Sequence, residues 1–186
     1  MGGGLGITHD DHVALLRGGV AGAGPCWADL GSGWGAFTLA LADLLGPAAV
    51  IHAVDRDASS LRELGARVGA AFPGAHVERR VADFNRDQGS GLGLVDLDGV
   101  VMANSLHYSR RKEPVLELVR RMLKPGGRLI LVEYNADRGN PWVPWPISYR
   151  AWERLAERAG FTDTRLLNTF PSRFLNEIYS ASSSRP

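Results

Sequence analysis

Seven residues, Asp29-Leu30-Gly31-Ser32-Gly33-Trp34-Gly35, narrow the possible folds of this chain more than any others. They stand where a short apolar run, Cys26 to Leu30, gives way to a longer one, Ala36 to Leu45, that ends at Gly46-Pro47. The first run has the length of a buried strand and the second that of a helix. The glycines between them permit a tight turn and let a ligand approach bare backbone. The helix N-terminus beyond adds free N–H groups that favour a carboxylate or phosphate.

The remaining chain repeats the alternation. Strands are predicted at Ala48 to Val54, His76 to Ala82, Leu97 to Ala103 and Arg128 to Tyr134. Helices are predicted at Ala58 to Phe72, from about Pro114 to Lys124-Pro125-Gly126-Gly127, and from Ser148 to Gly160. Strand–helix alternation of this kind builds a parallel sheet with helices on both faces. Residues 84–93 are polar and glycine-rich, so the connection before the fourth strand reads as trimmed. Two last strand-like runs, Asp163 to Asn168 and Phe174 to Ser180, are close enough to form an antiparallel hairpin. The tail Ser180 to Pro186 is low in complexity. Ahead of the first strand, residues 1–8 read as loose and His9 to Arg17 as a short helix broken by Gly18 to Pro25. The expected organisation is a flexible N-terminus with a short helix over 1–24 and one catalytic-size domain over 25–186.

Asp55 ends the second strand, 22 residues after Gly33, where a carboxylate can accept hydrogen bonds from both ribose hydroxyls. Asp83 ends the third strand and can accept from an adenine amino group, with Phe84 or Ala82 against the ring. All three elements open on one sheet edge, the edge at which open α/β sheets bind ligands. A dinucleotide dehydrogenase would share the glycines and Asp55. Against it, Asp29 directly before the turn would repel a pyrophosphate but attract an ammonium group. The terminal hairpin also replaces a second nucleotide-binding half.

Composition removes other classes. Formal charge is +1 over 186 residues, which gives no broad basic field for nucleic acid or anionic membrane. Arg110-Arg111-Lys112 and Arg120-Arg121 read as a solvated helix face. The one cysteine, Cys26, allows no intrachain disulfide and reads as a small core residue. No apolar run approaches the ~18 residues of a membrane span, and the start lacks the regions of a signal peptide. A cytoplasmic protein is the expectation. No Cys/His/Asp/Glu cluster has metal-ligand spacing.

On these residues the chain resembles the class I S-adenosylmethionine-dependent methyltransferases. Asp29 to Gly35 resembles the family's first motif, and Val54-Asp55-Arg56-Asp57 its second. Val81-Ala82-Asp83-Phe84 resembles the adenine-contacting segment, Val101 to Tyr108 the segment after strand four, and Leu123-Lys124-Pro125-Gly126-Gly127-Arg128-Leu129 the turn before strand five. The resemblance implies a Rossmann-like open sheet of seven strands, mostly parallel, with the last strand antiparallel. It implies S-adenosyl-L-methionine as cofactor and S-adenosyl-L-homocysteine as product. The cofactor residues it implies are Asp29, Gly31, Ser32, Gly33 and Gly35 at the methionine end, Asp55 and Arg56 at the ribose, Asp83 and Phe84 at the adenine, and the backbone of Asn104 and Ser105. No Asn/Asp-Pro-Pro-Tyr/Phe follows strand four, so the pattern of amino-methylating nucleic-acid enzymes is absent.

Methyl transfer from a sulfonium is an in-line displacement, and holding the reacting atoms in line lowers the barrier by about 7–11 kcal/mol. A base is needed only if the acceptor must lose a proton early. His107 is the candidate base, and Tyr108, Tyr134, Trp142 and Trp145 are candidate acceptor contacts. The segment Trp142-Val143-Pro144-Trp145-Pro146 can wall a pocket, brace the last helix or form an oligomer contact. His9 and His12 are expected to face solvent, and His52 and His76 to lie away from the active edge. A small-molecule acceptor is the leading expectation. An RNA or protein acceptor docking through the Arg110 to Arg128 region, or a non-catalytic cofactor-binding subunit, is the alternative.

Overall fold

A computed structural model describes residues 7–87, 91–172 and 174–186. Most of the stretch expected to be loose, residues 1–6, lies outside the described residues, as do 88–90 of the trimmed connection.

Seven strands form one sheet: β1 (Cys26–Leu30), β2 (Val50–Asp55), β3 (His76–Val81), β4 (Leu97–Ala103), β5 (Leu123–Tyr134), β6 (Thr162–Ser172) and β7 (Asn176–Ser184). Their order is β3-β2-β1-β4-β5-β7-β6. Pairing among β1 to β5 is parallel, and β7 runs antiparallel to both β5 and β6. Only β7 is reversed, therefore, and β6 runs with the other five. The chain winds outward from β1 to β3, then returns to β4 beside β1. That reversal opens a crevice at the carboxyl ends of the strands.

Among the described residues, five α-helices cover the sheet. Residues alternate sides along each strand. Trp27, Ile51, Val101 and Ile130 face a core built with α1 (His9–Val20) and α2 (Ala36–Leu45). Ala53 meets Leu61, Leu64 and Val68 of α3 (Ala58–Ala71) beside it. On the opposite face, Ala28, Leu30, Val100, Met102 and Leu129 pack with α4 (Glu113–Met122) and α5 (Tyr149–Arg158). The central β4 is buried along its whole length, as parallel strands covered on both sides are.

Local chemistry sets the helix ends. Thr8 accepts from Asp11 N at 3.2 Å while Asp11 accepts from Thr8 N at 2.8 Å, a capping box that starts α1. Asp57 and Ser148 cap α3 and α5 more simply, each side chain accepting from a first-turn N–H, of Ser59 and Ala151. α1 runs on through Gly18 and Gly19 to Val20, past the expected stop at Arg17. Packing outweighs propensity there. Gly19 lies flat on Ile130, and Arg128 Nη1 donates to Gly19 O and Ala21 O, both at 2.8 Å. Leu15 and Leu16 are fully buried, so α1 is part of the core. His12 does not face solvent as expected. Its half-buried ring meets Phe37 edge-on at 4.7 Å, and burial pushes its pKa below the ordinary value. His9 is exposed, 3.1 Å from Asp43.

Two strands differ from the sequence-based expectation. β5 begins at Leu123, which pairs with Leu97. The chain then bulges at Lys124 to Gly127 before Arg128 pairs with Gly99. The serine-rich tail is a buried strand: Ser180, Ser182 and Ser183 lie inside the sheet between β5 and β6. Small side chains fit under both helical layers, and the hydroxyl of Ser183 shares a 2.8 Å hydrogen bond with Thr164. Between β3 and β4, the described residues hold one short 3-10 turn, Gly91–Gly93, in place of a helix.

Candidate functional site

The carboxyl ends of β1 to β4 open on a cavity of about 360 Å³, within the usual size of a cofactor site. Gly31, Gly33, Asp55, Arg56, Asp83, Phe84, Asn104, Ser105 and Tyr108 all line it, joined by Asp57, Ala82 and Asn85. The glycine turn is held by its own backbone. Gly31 N and Ser32 N both donate to Val54 O, at 2.8 and 3.0 Å. Gly33 N donates to Asp55 Oδ2 at 2.8 Å, and Asp57 N to Asp55 Oδ1 at 2.9 Å. One carboxylate thereby ties the turn to the loop after β2, with lone pairs left for hydroxyl donors. Gly31 and Gly33 have φ of 80° and 50°, in the left-handed region where glycine costs least. A side chain on Gly31 would strike Ser105, whereas Gly33 faces open space on the cavity side. Asp83 accepts from Asn85 N at 2.9 Å.

Three expected cofactor contacts lie outside the lining, as do the catalytic candidate His107 and the acceptor candidates Tyr134, Trp142 and Trp145. Asp29 alternates with Ala28 and Leu30 on β1, and so turns to α2. There it accepts from Thr38 Oγ1 at 2.7 Å. It is wholly buried, and burial pushes its pKa up to about 7. Ser32 is buried beneath the turn with its hydroxyl unpartnered. Gly35 is the left-handed residue at the start of α2, packed on Leu64. These three shape the turn from below. The buried Asn104 Oδ1 also lacks a partner, and Asn104 does line the cavity. An unpaired buried acceptor beside a set of carboxylates suits a ligand that carries N–H and O–H donors.

After β4 the chain makes a short 3-10 turn, Leu106–Tyr108, pinned by Ser105 Oγ donating to Leu30 O at 2.7 Å. His107 is buried, and its Nδ1 lies 2.8 Å from Glu133 Oε1. His107 N donates to Glu133 Oε2 at 3.1 Å, and Tyr134 N to Glu133 Oε1 at 2.9 Å. Sequence reasoning missed Glu133. The available signal was a lone acid in the apolar strand Leu129-Ile130-Leu131-Val132-Glu133-Tyr134. Aromatic rings continue from the pair. Tyr108 stands 4.3 Å and Tyr134 5.8 Å from the His107 ring, and Phe174 stands 6.2 Å from Tyr134. Burial pushes the pKa of the Tyr134 phenol up.

The tryptophan loop divides. Trp145 N donates to His107 O at 3.1 Å, and the guanidinium of Arg110 lies 5.3 Å over its ring. Trp142 is 71% exposed and does not line the cavity. Arg110 and Arg111 are exposed as expected, but Lys112 is buried, a departure from the solvated face read from sequence. His52 pairs with Glu78 at 3.1 Å and approaches Cys26, near the opposite ends of the strands. Among the described residues no group of three His, Cys, Asp or Glu is arranged to hold a metal ion. No helix among them is long and apolar enough to cross a membrane.

The methyltransferase domain family matches residues 28–129. A highly reducing polyketide synthase of Calcarisporium arbuscula is 33% identical over 115 residues, 50% of this chain and 5% of that protein. An arsenite methyltransferase of Aquipseudomonas alcaligenes is 32% identical over 163 residues, 77% of this chain and 46% of that protein. Among solved structures, the DszA carbon methyltransferase superposes with a TM-score of 0.68 at 19% identity, over 89% of this chain and 48% of that one. The chain spans half the length or less of these three proteins. Sheet order, glycine turn and family match agree, and the chain belongs to the class I methyltransferases that use S-adenosylmethionine.

Proposed function

We propose that this chain methylates a carbon atom of a small acceptor, with His107 removing the proton which that carbon must lose. The buried His107–Glu133 pair, which lies behind the cavity-lining Tyr108 with its imidazole 4.3 Å from that ring, carries this reading. The bound cofactor supplies an electrophilic methyl group on a sulfonium. Asp55 receives the ribose hydroxyls with Arg56 at the rim, and Asp83 receives the adenine amino group beside Phe84. Gly31, Gly33 and Ser105 meet the methionine end, where the unpaired Asn104 Oδ1 accepts from the ammonium.

The acceptor chemistry follows from protonation. Many oxygen and nitrogen nucleophiles carry a lone pair ready to attack, but a carbon acid must first be deprotonated. Glu133 engages Nδ1, which fixes the imidazole tautomer and leaves Nε2 as the basic atom. The C–H electron pair stays on the acceptor as its proton passes to Nε2. Tyr108 and Tyr134 then offer aromatic faces beside the imidazole to a small apolar acceptor. Kinship with a polyketide synthase and a fold shared with a carbon methyltransferase support this class. An arsenic acceptor has less support, because soft acceptors need thiolates and Cys26 lies at the other end of β1.

The test is a panel assayed for S-adenosylhomocysteine release: a 1,3-dicarbonyl compound, a phenol, an amine and arsenite. We expect turnover of the dicarbonyl, reduced about 10²–10⁴-fold in His107→Ala with unchanged S-adenosylhomocysteine affinity by calorimetry. Full turnover by His107→Ala would remove the base, and no heat with S-adenosylhomocysteine would remove the cofactor site.

A further inference from the structure

Lys112 lies outside the cofactor cavity and outside the His107–Glu133 pair, yet it is buried. Its ammonium donates to Ser109 O at 3.0 Å and to Trp145 O at 2.8 Å. Those carbonyls belong to different segments. Ser109 follows the turn that carries His107, and Trp145 belongs to the loop whose backbone N–H donates to His107 O. Lys112, Trp145 and His107 thus close a ring of contacts around the imidazole's own backbone. Two further ties hold the same segment: Ser105 Oγ to Leu30 O, and Ser109 Oγ to Asn85 Oδ1 at 2.5 Å.

Burying an ammonium is costly, and burial pushes the pKa of Lys112 below its ordinary value. Glu133 and Glu113 act in the opposite direction, Glu133 the more strongly. A methionine would fill similar space without that cost. It could not bridge two carbonyls or face Glu133 with a positive charge.

We propose that Lys112 is a positioning residue for His107: by bridging the segment that carries the imidazole and the loop that covers it, Lys112 holds the ring in the one orientation that Glu133 can engage. The proposal rests on His107 as the base. It predicts an effect on proton transfer rather than on cofactor binding, because Lys112 touches none of the cavity lining except through Ser109 and its partner Asn85.

The test uses the full chain with uniformly ¹⁵N-labelled histidine, and Lys112→Met and Lys112→Arg variants. Cooperative thermal melting and calorimetry with S-adenosylhomocysteine establish that each variant is folded. The His107 nitrogen signals are assigned by their loss in His107→Ala. In Lys112→Met we expect these signals to move from a fixed Nδ1–H tautomer to an averaged position. Turnover number with a 1,3-dicarbonyl probe should fall about 10-fold, as a displaced catalytic group does, with the Michaelis constant for S-adenosylmethionine unchanged. Lys112→Arg should recover most of both. A folded Lys112→Met with wild-type His107 signals and wild-type turnover would overturn the proposal. Should Lys112→Met fail to fold, Lys112→Leu, which has neither donor nor charge, is read for the same two outcomes. If His107→Ala retains full turnover, the base reading fails separately, and the nitrogen signals still decide whether Lys112 orients the ring.

Discussion

The two halves of the site are built on opposite principles. On the side proposed for the cofactor, the contacts are backbone groups meeting an acid or carbonyl at the end of a neighbouring strand or of their own: Gly31 N and Ser32 N on Val54 O, Gly33 N and Asp57 N on Asp55, Asn85 N on Asp83. On the side proposed for the acceptor, buried side chains reach across to distant segments. His107 and Glu133 are 26 residues apart, and Lys112 and Trp145 are 33 apart. A half made of backbone tolerates most substitutions and fails at a few positions. A half made of buried polar pairs loses function when either member is removed, because the other is left without its partner.

If that contrast holds, Glu133→Gln should have the greatest effect. The amide presents a donor as well as an acceptor to Nδ1, so turnover should drop about 10²–10⁴-fold, while calorimetry finds the cofactor affinity unchanged. An equal fall in both would mean that the halves are one unit. Asp55→Ala should show the converse. Its cofactor affinity should weaken by about 1.5–3 kcal/mol, with turnover at saturating cofactor little altered.

Asp29→Asn tests the layer beneath the turn. Burial raises the Asp29 pKa to about 7. The unfolded chain ionises this group at about pH 4, whereas the folded chain keeps its proton until about pH 7. Stability should therefore fall as pH rises across that window and stay lowered above it. An amide in its place cannot ionise, so urea melts at pH 8 should find Asp29→Asn more stable than wild type by ~1–3 kcal/mol, with the gap closing at pH 4. A pH-independent difference would mean that Asp29 is charged throughout. Trp142→Ala should do least. With its side chain exposed, melting and cofactor affinity should stay within about 0.5 kcal/mol of wild type.

The same contrast explains what could be read from the residues alone. The glycine turn, Asp55 and Asp83 were recognisable because each sits at a fixed offset from a strand end, and local pattern reports such offsets. Six strands and the first half of β7 were visible as short strand-like runs between turns. Glu133 stayed hidden because its partner is placed by β4 and β5 coming into register, which no local window contains. Lys112 was read as solvated from its neighbours Arg110 and Arg111, yet the tryptophan loop covers it alone. Asp29 was expected on the cavity wall. Strand alternation turned it to α2, and only Thr38, in the first turn of α2, would have hinted at a buried acceptor. The serine tail had no apolar pattern to announce a strand, since its place between two strands needs small side chains more than hydrophobic ones.

That last strand has a consequence for how the molecule comes into being. β7 lies between β5 and β6, both of which precede it in the chain. During synthesis, residues 162–172 leave the ribosome able to pack on α1 through Leu167 and Asn168, but with no strand to pair with. They stay open to association with other chains until residues 176–184 arrive and join them to β5. The β5-β7-β6 part of the sheet is therefore completed in a single late step, and the time that step takes sets how long a nascent copy depends on protection from its neighbours.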